Sequence, residues 1–143
     1  MLSFDTNIVV YACNADAPEC APARRWLESL ASQTDVVISE LMLVEVYLKI
    51  RNARILASPF SAPAAAAYCQ AFRANPKWIL TGHAPIMDDV WKQSAHKDFA
   101  IRKIVDARLA LSLRYHGVTR FATANVRDFR GFGFERVWNP LGD

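Results

Sequence analysis

Cysteine is sparse in this chain and falls in no metal-binding pattern. Cys13, Cys20 and Cys69 are the only three in 143 residues. An odd number, without the paired short spacing of a zinc site, speaks against both a disulfide framework and a structural zinc. They read as free thiols, small residues for a buried interior in a reducing cytoplasm. Residues 1–10 do not read as a secretory leader: they have no basic start, and Asp5 would interrupt an apolar stretch there. No uninterrupted apolar run approaches the roughly 18 residues of a membrane helix. A dominant charge is missing too. Seventeen basic residues against fourteen acidic ones leave a net +3, too little to demand a nucleic-acid partner. Internal repeats and low-complexity linkers are absent, and no base-activated Ser or Cys nucleophile is evident.

What is present is a size and patterning that suit one compact α/β domain over residues 1–143. The chain is 52% hydrophobic against 22% charged, rich enough to fill a core and to leave an apolar helix face for a partner. Twelve of the seventeen basic residues are Arg, the better side chain for bidentate phosphate contacts. Short β-branched or apolar runs predict strands over 2–5, 35–39, 78–80, 119–123 and 135–138. Helices are expected over 7–14, 18–31, 40–54, 62–73, 85–91 and 104–116, with a turn or short helix at 125–129. Leu41, Val44, Leu48 and Ile55 follow the helical period, Pro85 suits an early helical turn, and Gly117 suits a helix end. Trp26, Trp78, Trp91 and Trp138 are expected in the core. His83, His96 and His116 share no motif, and His116 reads as a helix-end residue. The alternation implies a mostly parallel sheet of four or five strands.

Four acids stand out against this background. Asp5-Thr6-Asn7 follows the first strand and places carboxylate, hydroxyl and amide at the carboxyl edge of the sheet, where open α/β sheets hold ligands. Glu45 interrupts an apolar helical run, Asp106 lies near the start of another, and Asp128 follows a late strand. Each has a structural use as well. Asp5 could cap the next helix, Glu45 could pair with Lys49 one turn on, Asp106 could favour a helix dipole, and Asp128 could sit in a turn. Glu40 rivals Glu45 but reads as a first-turn residue. Gathered together, the four carboxylates would repel one another and call for protons or cations. That combination suits a hard cation such as Mg²⁺, bridging carboxylates to a phosphate-containing substrate.

The pattern resembles the PIN domain, and within it the VapC-type ribonuclease toxins of bacterial toxin–antitoxin pairs. The resemblance runs from Met1 to about Val137 in four ordered elements. Leu2-Ser3-Phe4-Asp5-Thr6-Asn7 carries the first metal-binding acid, a supporting hydroxyl and an amide. Val44-Glu45-Val46-Tyr47 carries the helix-borne glutamate, and Ile104-Val105-Asp106-Ala107-Arg108-Leu109-Ala110 the third acid. Ala122-Thr123-Ala124-Asn125-Val126-Arg127-Asp128-Phe129 carries a hydroxyl and the last acidic or amide ligands. Two departures stand out. No glycine accompanies Lys49, where the family often has a basic-glycine pair, and Asn125 holds a position where it often has aspartate.

The resemblance implies a three-layer α/β/α sandwich and metal-dependent endonucleolytic hydrolysis of RNA with Mg²⁺ or Mn²⁺. Asp5 and Asp106 would be direct metal ligands, and Glu45 and Asp128 would complete the catalytic acids. Thr6, Asn7, Thr123 and Asn125 would support them. Apart from the resemblance, Arg102, Lys103 and Arg108 are candidate phosphate contacts by their nearness to Asp106, with a solvated face as the alternative. The resemblance also implies a small cognate antitoxin, a homodimer and a cytoplasmic, non-membrane setting. A stand-alone PIN-type RNA-processing nuclease and a catalytically silent RNA-binding or assembly module are the competing functional readings.

Overall fold

The computed structural model of the chain describes residues 1–100 and 102–142. Its strands are β1 (Leu2–Phe4), β2 (Val37–Ser39), β3 (Ile79–Thr81), β4 (Arg120–Ala122) and β5 (Arg136–Trp138). The longer helices are α1 (Thr6–Cys13), α2 (Cys20–Leu30), α3 (Glu40–Ile50), α4 (Ala62–Arg73), α5 (Met87–Ser94) and α6 (Lys103–Tyr115), and α7 (Val126–Phe129) is a single turn. The strand pairs β1–β4, β4–β5 and β2–β3 are all parallel. The three-stranded part β1-β4-β5 meets the two-stranded part β2-β3 at a parallel bridge from Leu2 to Val36. The expected α/β/α sandwich with a mostly parallel sheet of four or five strands is the fold observed, with five strands in a three-plus-two arrangement.

The central strands β1 and β2 are buried throughout, as expected for parallel strands covered on both faces. Phe4, Phe121, Ile8, Ile38, Met42 and Leu113 are among the largest fully buried side chains. Phe4 meets Trp26 at 5.8 Å and Trp78 at 5.7 Å, and Trp26 meets Trp138 at 6.4 Å, all edge to face. Three of the four tryptophans therefore pack on the core. Trp91 departs from the expectation: it is 58% exposed on the outer side of α5.

Local signals set the helix ends. Ser39 Oγ accepts from Met42 N–H at 3.1 Å and starts α3, and Ser61 Oγ does the same for Ala64 N–H at 3.3 Å before α4. Gly117 follows the end of α6 with φ +85°, a left-handed conformation that favours glycine. Helix α3 stops at Ile50, four residues before the expected Arg54, because the chain turns through Asn52, whose side-chain oxygen accepts from Arg54 N–H. Pro85 lies just outside α5 rather than within its first turn. No helix among the described residues is long and apolar enough to cross a membrane.

The apolar stripe of α3 is divided: Leu41 packs partly buried on the core, and Val44 and Leu48 do not. Met42, Leu43, Val46 and Ile50 face the core, whereas Val44 and Leu48 are 55% and 62% exposed and Ile55, beyond the helix, is also exposed. The helix is apolar nearly all round, so periodicity found a real stripe and did not say which way it points. Glu40 forms an ion pair with Arg73 of α4 at 2.8 Å, a structural role that keeps it apart from Glu45.

Candidate functional site

The parallel register of β1 and β4 creates the site. Phe4 pairs with Ala122, so the next residues, Asp5 and Thr123, emerge side by side at the carboxyl edge of the sheet. Asp5 N–H donates to Ala122 C=O at 2.8 Å, and Thr123 Oγ1 donates to Asp5 Oδ2 at 2.8 Å. Thr123 Oγ1 also accepts from Asn7 Nδ2 at 3.3 Å and from Asn125 N–H at 2.9 Å. A hydroxyl has one proton and two lone pairs. With both lone pairs engaged, its proton is committed to Asp5, and the carboxylate is held in one orientation. Asn7 completes the ring by accepting from Ala124 N–H through Oδ1 at 3.4 Å.

Asp5 sits at the N-cap position of α1 yet makes no side-chain cap bond. Capping therefore does not explain it. It is only 8% exposed. Burial pushes its carboxyl above the usual range and Glu45 adds to this, while the Thr123 hydrogen bond and the charge of Lys49 oppose it.

Thr6, wholly buried, donates through Oγ1 to Glu45 Oε2 at 3.1 Å and so ties α1 to α3. The other oxygen, Glu45 Oε1, is buried with no hydrogen-bond partner. Among the described residues Glu45 and Lys49 form no ion pair, the two found being Arg73–Glu40 and Arg120–Asp35. Lys49 still acts on the site, because its charge favours the ionised forms of both Asp5 and Asp106. Lys49 was not anticipated as a site residue, although its place one helical turn after Glu45 on the same face was visible.

Asp106 lies in the first turn of α6. Its carboxyl is pushed up to about 6, first by burial and then by Asp5, Asp128 and Glu45, with Lys49 opposing. Asp106 therefore lies within electrostatic reach of Asp5, Glu45 and Asp128, which come from three other parts of the chain. Among the described residues, however, no three His, Cys, Asp or Glu side chains converge as a ready-made metal cage.

Asp106 and Asp128 line a cavity of about 640 Å³ together with Asp98, Ala100, Arg102, Lys103 and Arg127. Arg102 and Lys103 thus lie where the sequence suggested. Arg108 does not share that cavity. It lines a smaller one, about 40 Å³, with Gly82, His83 and Ser112. Asn125 contributes its backbone N–H to the site, and its side chain caps nothing. Arg127 is the residue that sequence reasoning passed over, despite lying between Asn125 and Asp128.

The PIN domain family matches residues 3–135. Ribonuclease VapC24 of Mycobacterium tuberculosis, from strains CDC 1551/Oshkosh and ATCC 25618/H37Rv, is 48% identical over 141 residues, spanning 99% of this chain and 97% of that protein. Two solved structures share the fold at low identity. The M. tuberculosis VapC20 structure, described as a Sarcin-Ricin loop cleaving toxin, superposes with a TM-score of 0.64 at 20% identity over 85% of this chain and 87% of that one. FitAcB from Neisseria gonorrhoeae superposes with a TM-score of 0.61 at 20% identity over 98% of both chains. A strand-edge aspartate held by Thr123, a glutamate delivered by α3 and a match over nearly the whole length lead to one assignment: this chain belongs to the PIN-domain family.

Proposed function

We propose that the chain is a Mg²⁺- or Mn²⁺-dependent endoribonuclease and the toxin of a toxin–antitoxin pair. The observation that carries this reading is the placement of the acids: Asp5 held by Thr123 at the carboxyl edge of the sheet, Glu45 tied to the adjoining Thr6, and Asp106 and Asp128 lining one cavity. The full-length similarity to a ribonuclease supports the choice of RNA as substrate.

The donor set fits a hard divalent cation in composition. Every candidate donor is oxygen, Asp5, Glu45 and Asp128 all raise the Asp106 carboxyl, and Glu45 Oε1 is buried without a partner. Direct ligation by three side chains is not required, because Mg²⁺ keeps several of its waters. Asp5 and Asp106 are the proposed ligands, with Glu45 and Asp128 completing the acidic pocket. When bound, the ion supplies an acidified water and neutralises charge on phosphate oxygens.

The protein's own contribution is positional. Thr123, backed by Asn7 and the Asn125 backbone, fixes Asp5. Thr6 holds Glu45, whose second oxygen is left to orient a water. Arg102 and Lys103 draw the phosphate backbone toward the acids. Hydrolysis then proceeds by direct water attack, without a covalent enzyme intermediate.

An antitoxin segment has a matching surface. A groove of about 290 Å³ between α3 and α4 is lined by Leu43, Val44, Tyr47, Ala66 and Cys69, with Glu40 and Arg73 among its polar lining. An amphipathic segment seated there, with a basic side chain reaching the carboxylates, would block substrate.

Asp5→Asn tests the nuclease reading. It keeps the shape and removes the anionic ligand, so cleavage should fall roughly a hundredfold or more with the fold nearly intact by circular dichroism. Chelation should abolish wild-type cleavage, and Mg²⁺ or Mn²⁺ should restore it. Equal turnover by wild type and Asp5→Asn would exclude this mechanism.

A further inference from the structure

The cavity beside the acids holds charge that the acidic cluster does not use. Arg102, Lys103 and Arg127 share its walls with Asp98, Asp106 and Asp128. Yet none of these six side chains takes part in the ion pairs found among the described residues, which join Arg73 to Glu40 and Arg120 to Asp35. Opposite charges facing one volume of about 640 Å³ without closing on each other leave room for a third group.

One of the basic side chains is positioned by a contact, and another is carried on a pinned backbone. Lys103 Nζ lies 5.3 Å from the centre of the Phe132 ring, a cation–π contact that ties it to the segment following α7. Arg127 stands on α7, whose backbone is pinned by buried Phe129 packing on Phe121 at 4.7 Å. Its own side chain is exposed to solvent.

We propose that this cavity is a subsite for the RNA phosphate adjoining the scissile one, with Arg127 as its anchor and Arg102 and Lys103 as supporting cations. The inference rests on the ribonuclease reading and deepens it. A phosphate is the fitting occupant because Arg presents a planar fork of donors to it. The position follows from Asp106, a proposed metal ligand, and Asp128, both of which line the cavity. A strand crossing the acids therefore has its neighbouring phosphate delivered to Arg127. Arg127 acts as a positioning residue: it holds the strand in register and does not touch the reacting phosphorus.

The test measures binding of a fluorescein-labelled, mixed-sequence single-stranded RNA dodecamer by anisotropy across a salt series, alongside cleavage of the same RNA in Mg²⁺. Losing one phosphate contact on a single strand lowers the slope of log affinity against log salt by about 0.7. Arg127→Ala should show that loss, about tenfold weaker binding at low salt, and a rise in KM larger than any fall in kcat. Arg127→Lys should restore the slope, because the charge returns. Arg25→Ala, an exposed position on α2 outside the cavity, should leave slope and affinity unchanged.

An unchanged slope in Arg127→Ala overturns the subsite, and so does an equal loss in Arg25→Ala, which would mean diffuse attraction only. Failure of the wild type to bind the RNA also overturns it. If the wild type binds with the expected slopes but cleaves no RNA in Mg²⁺, the subsite stands and the ribonuclease reading falls.

Discussion

Thr123 Oγ1 has three partners and one proton, so replacing it disturbs more than a single contact. Thr123→Val keeps the shape but leaves buried Asp5 without its donor and Asn125 N–H without its acceptor. The expected cost is about 1–3 kcal/mol for a stranded buried polar group, measured by urea unfolding, with a matching fall in cleavage. Thr123→Ser should recover both. Titration at the site belongs to this scale as well. Burial raises the Asp5 and Asp106 carboxyls above their ordinary value of 3.8, Asp106 to about 6. A raised acid contributes stability in full below its unfolded pKa, and that contribution is lost as pH rises through its folded pKa. In chelator, the melting temperature should therefore fall as pH increases from about 4 through about 6. Added Mg²⁺ should raise it more at neutral pH than at pH 5. A metal-free melting temperature that climbs through that window would contradict the assigned shifts.

Helix α3 serves two masters at the scale of the element. Its inner face buries Met42, Leu43, Val46 and Ile50, while Val44 and Leu48 meet solvent. The two faces should respond differently to truncation. Ile50→Ala removes a fully buried side chain and should cost about 2–5 kcal/mol. Leu48→Ala changes an exposed one and should stay within about 0.5 kcal/mol. Equal destabilisation in denaturant melts would mean that the exposed face is not free in the isolated chain. Leu48→Glu then becomes the informative variant for partners, because it spoils an apolar contact without reaching the core. Tagged co-purification with the product of an adjacent small gene should succeed for wild type and fail for Leu48→Glu.

Assembly is decided at the scale of the whole molecule. The exposed apolar residues Val44, Leu48 and Ile55, with the nearby α3–α4 groove, leave more uncovered hydrophobic surface than scattered single residues would. A homodimer using the region of residues 40–73 is the expected solution state, with the acidic site left open to RNA. A specific dimer should bury roughly 1,200 Å² or more in total. Light scattering at micromolar concentration should report twice the 16.1 kDa chain mass. A monomer across the concentration range would leave the apolar face to an antitoxin alone.

The strand-by-strand alternation, the parallel sheet and the four acids were legible in the sequence, because each rests on local chemistry. β-branched runs favour strands, Ser39 and Ser61 cap helices, and a carboxylate in an apolar run such as Glu45 needs a reason to be there. What the sequence could not determine was which way things face and what they touch. Leu41, Val44 and Leu48 showed a stripe, but only packing against the sheet decided that Val46 and Ile50 point inward. Trp91 looked like a core residue and lies on the surface. Arg108 shares a helix with Asp106, yet the turn of that helix sends it to another cavity. Arg127 came to line a cavity with Asp106 and Asp128, and the Lys49 charge came to act on Asp5 and Asp106, only once α7 and α3 were docked. Burial, and with it the raised carboxyls of Asp5 and Asp106, is a property of neighbours distant in the chain. Residue types set which chemistry was available, and the register that places Thr123 beside Asp5 decided where it was assembled.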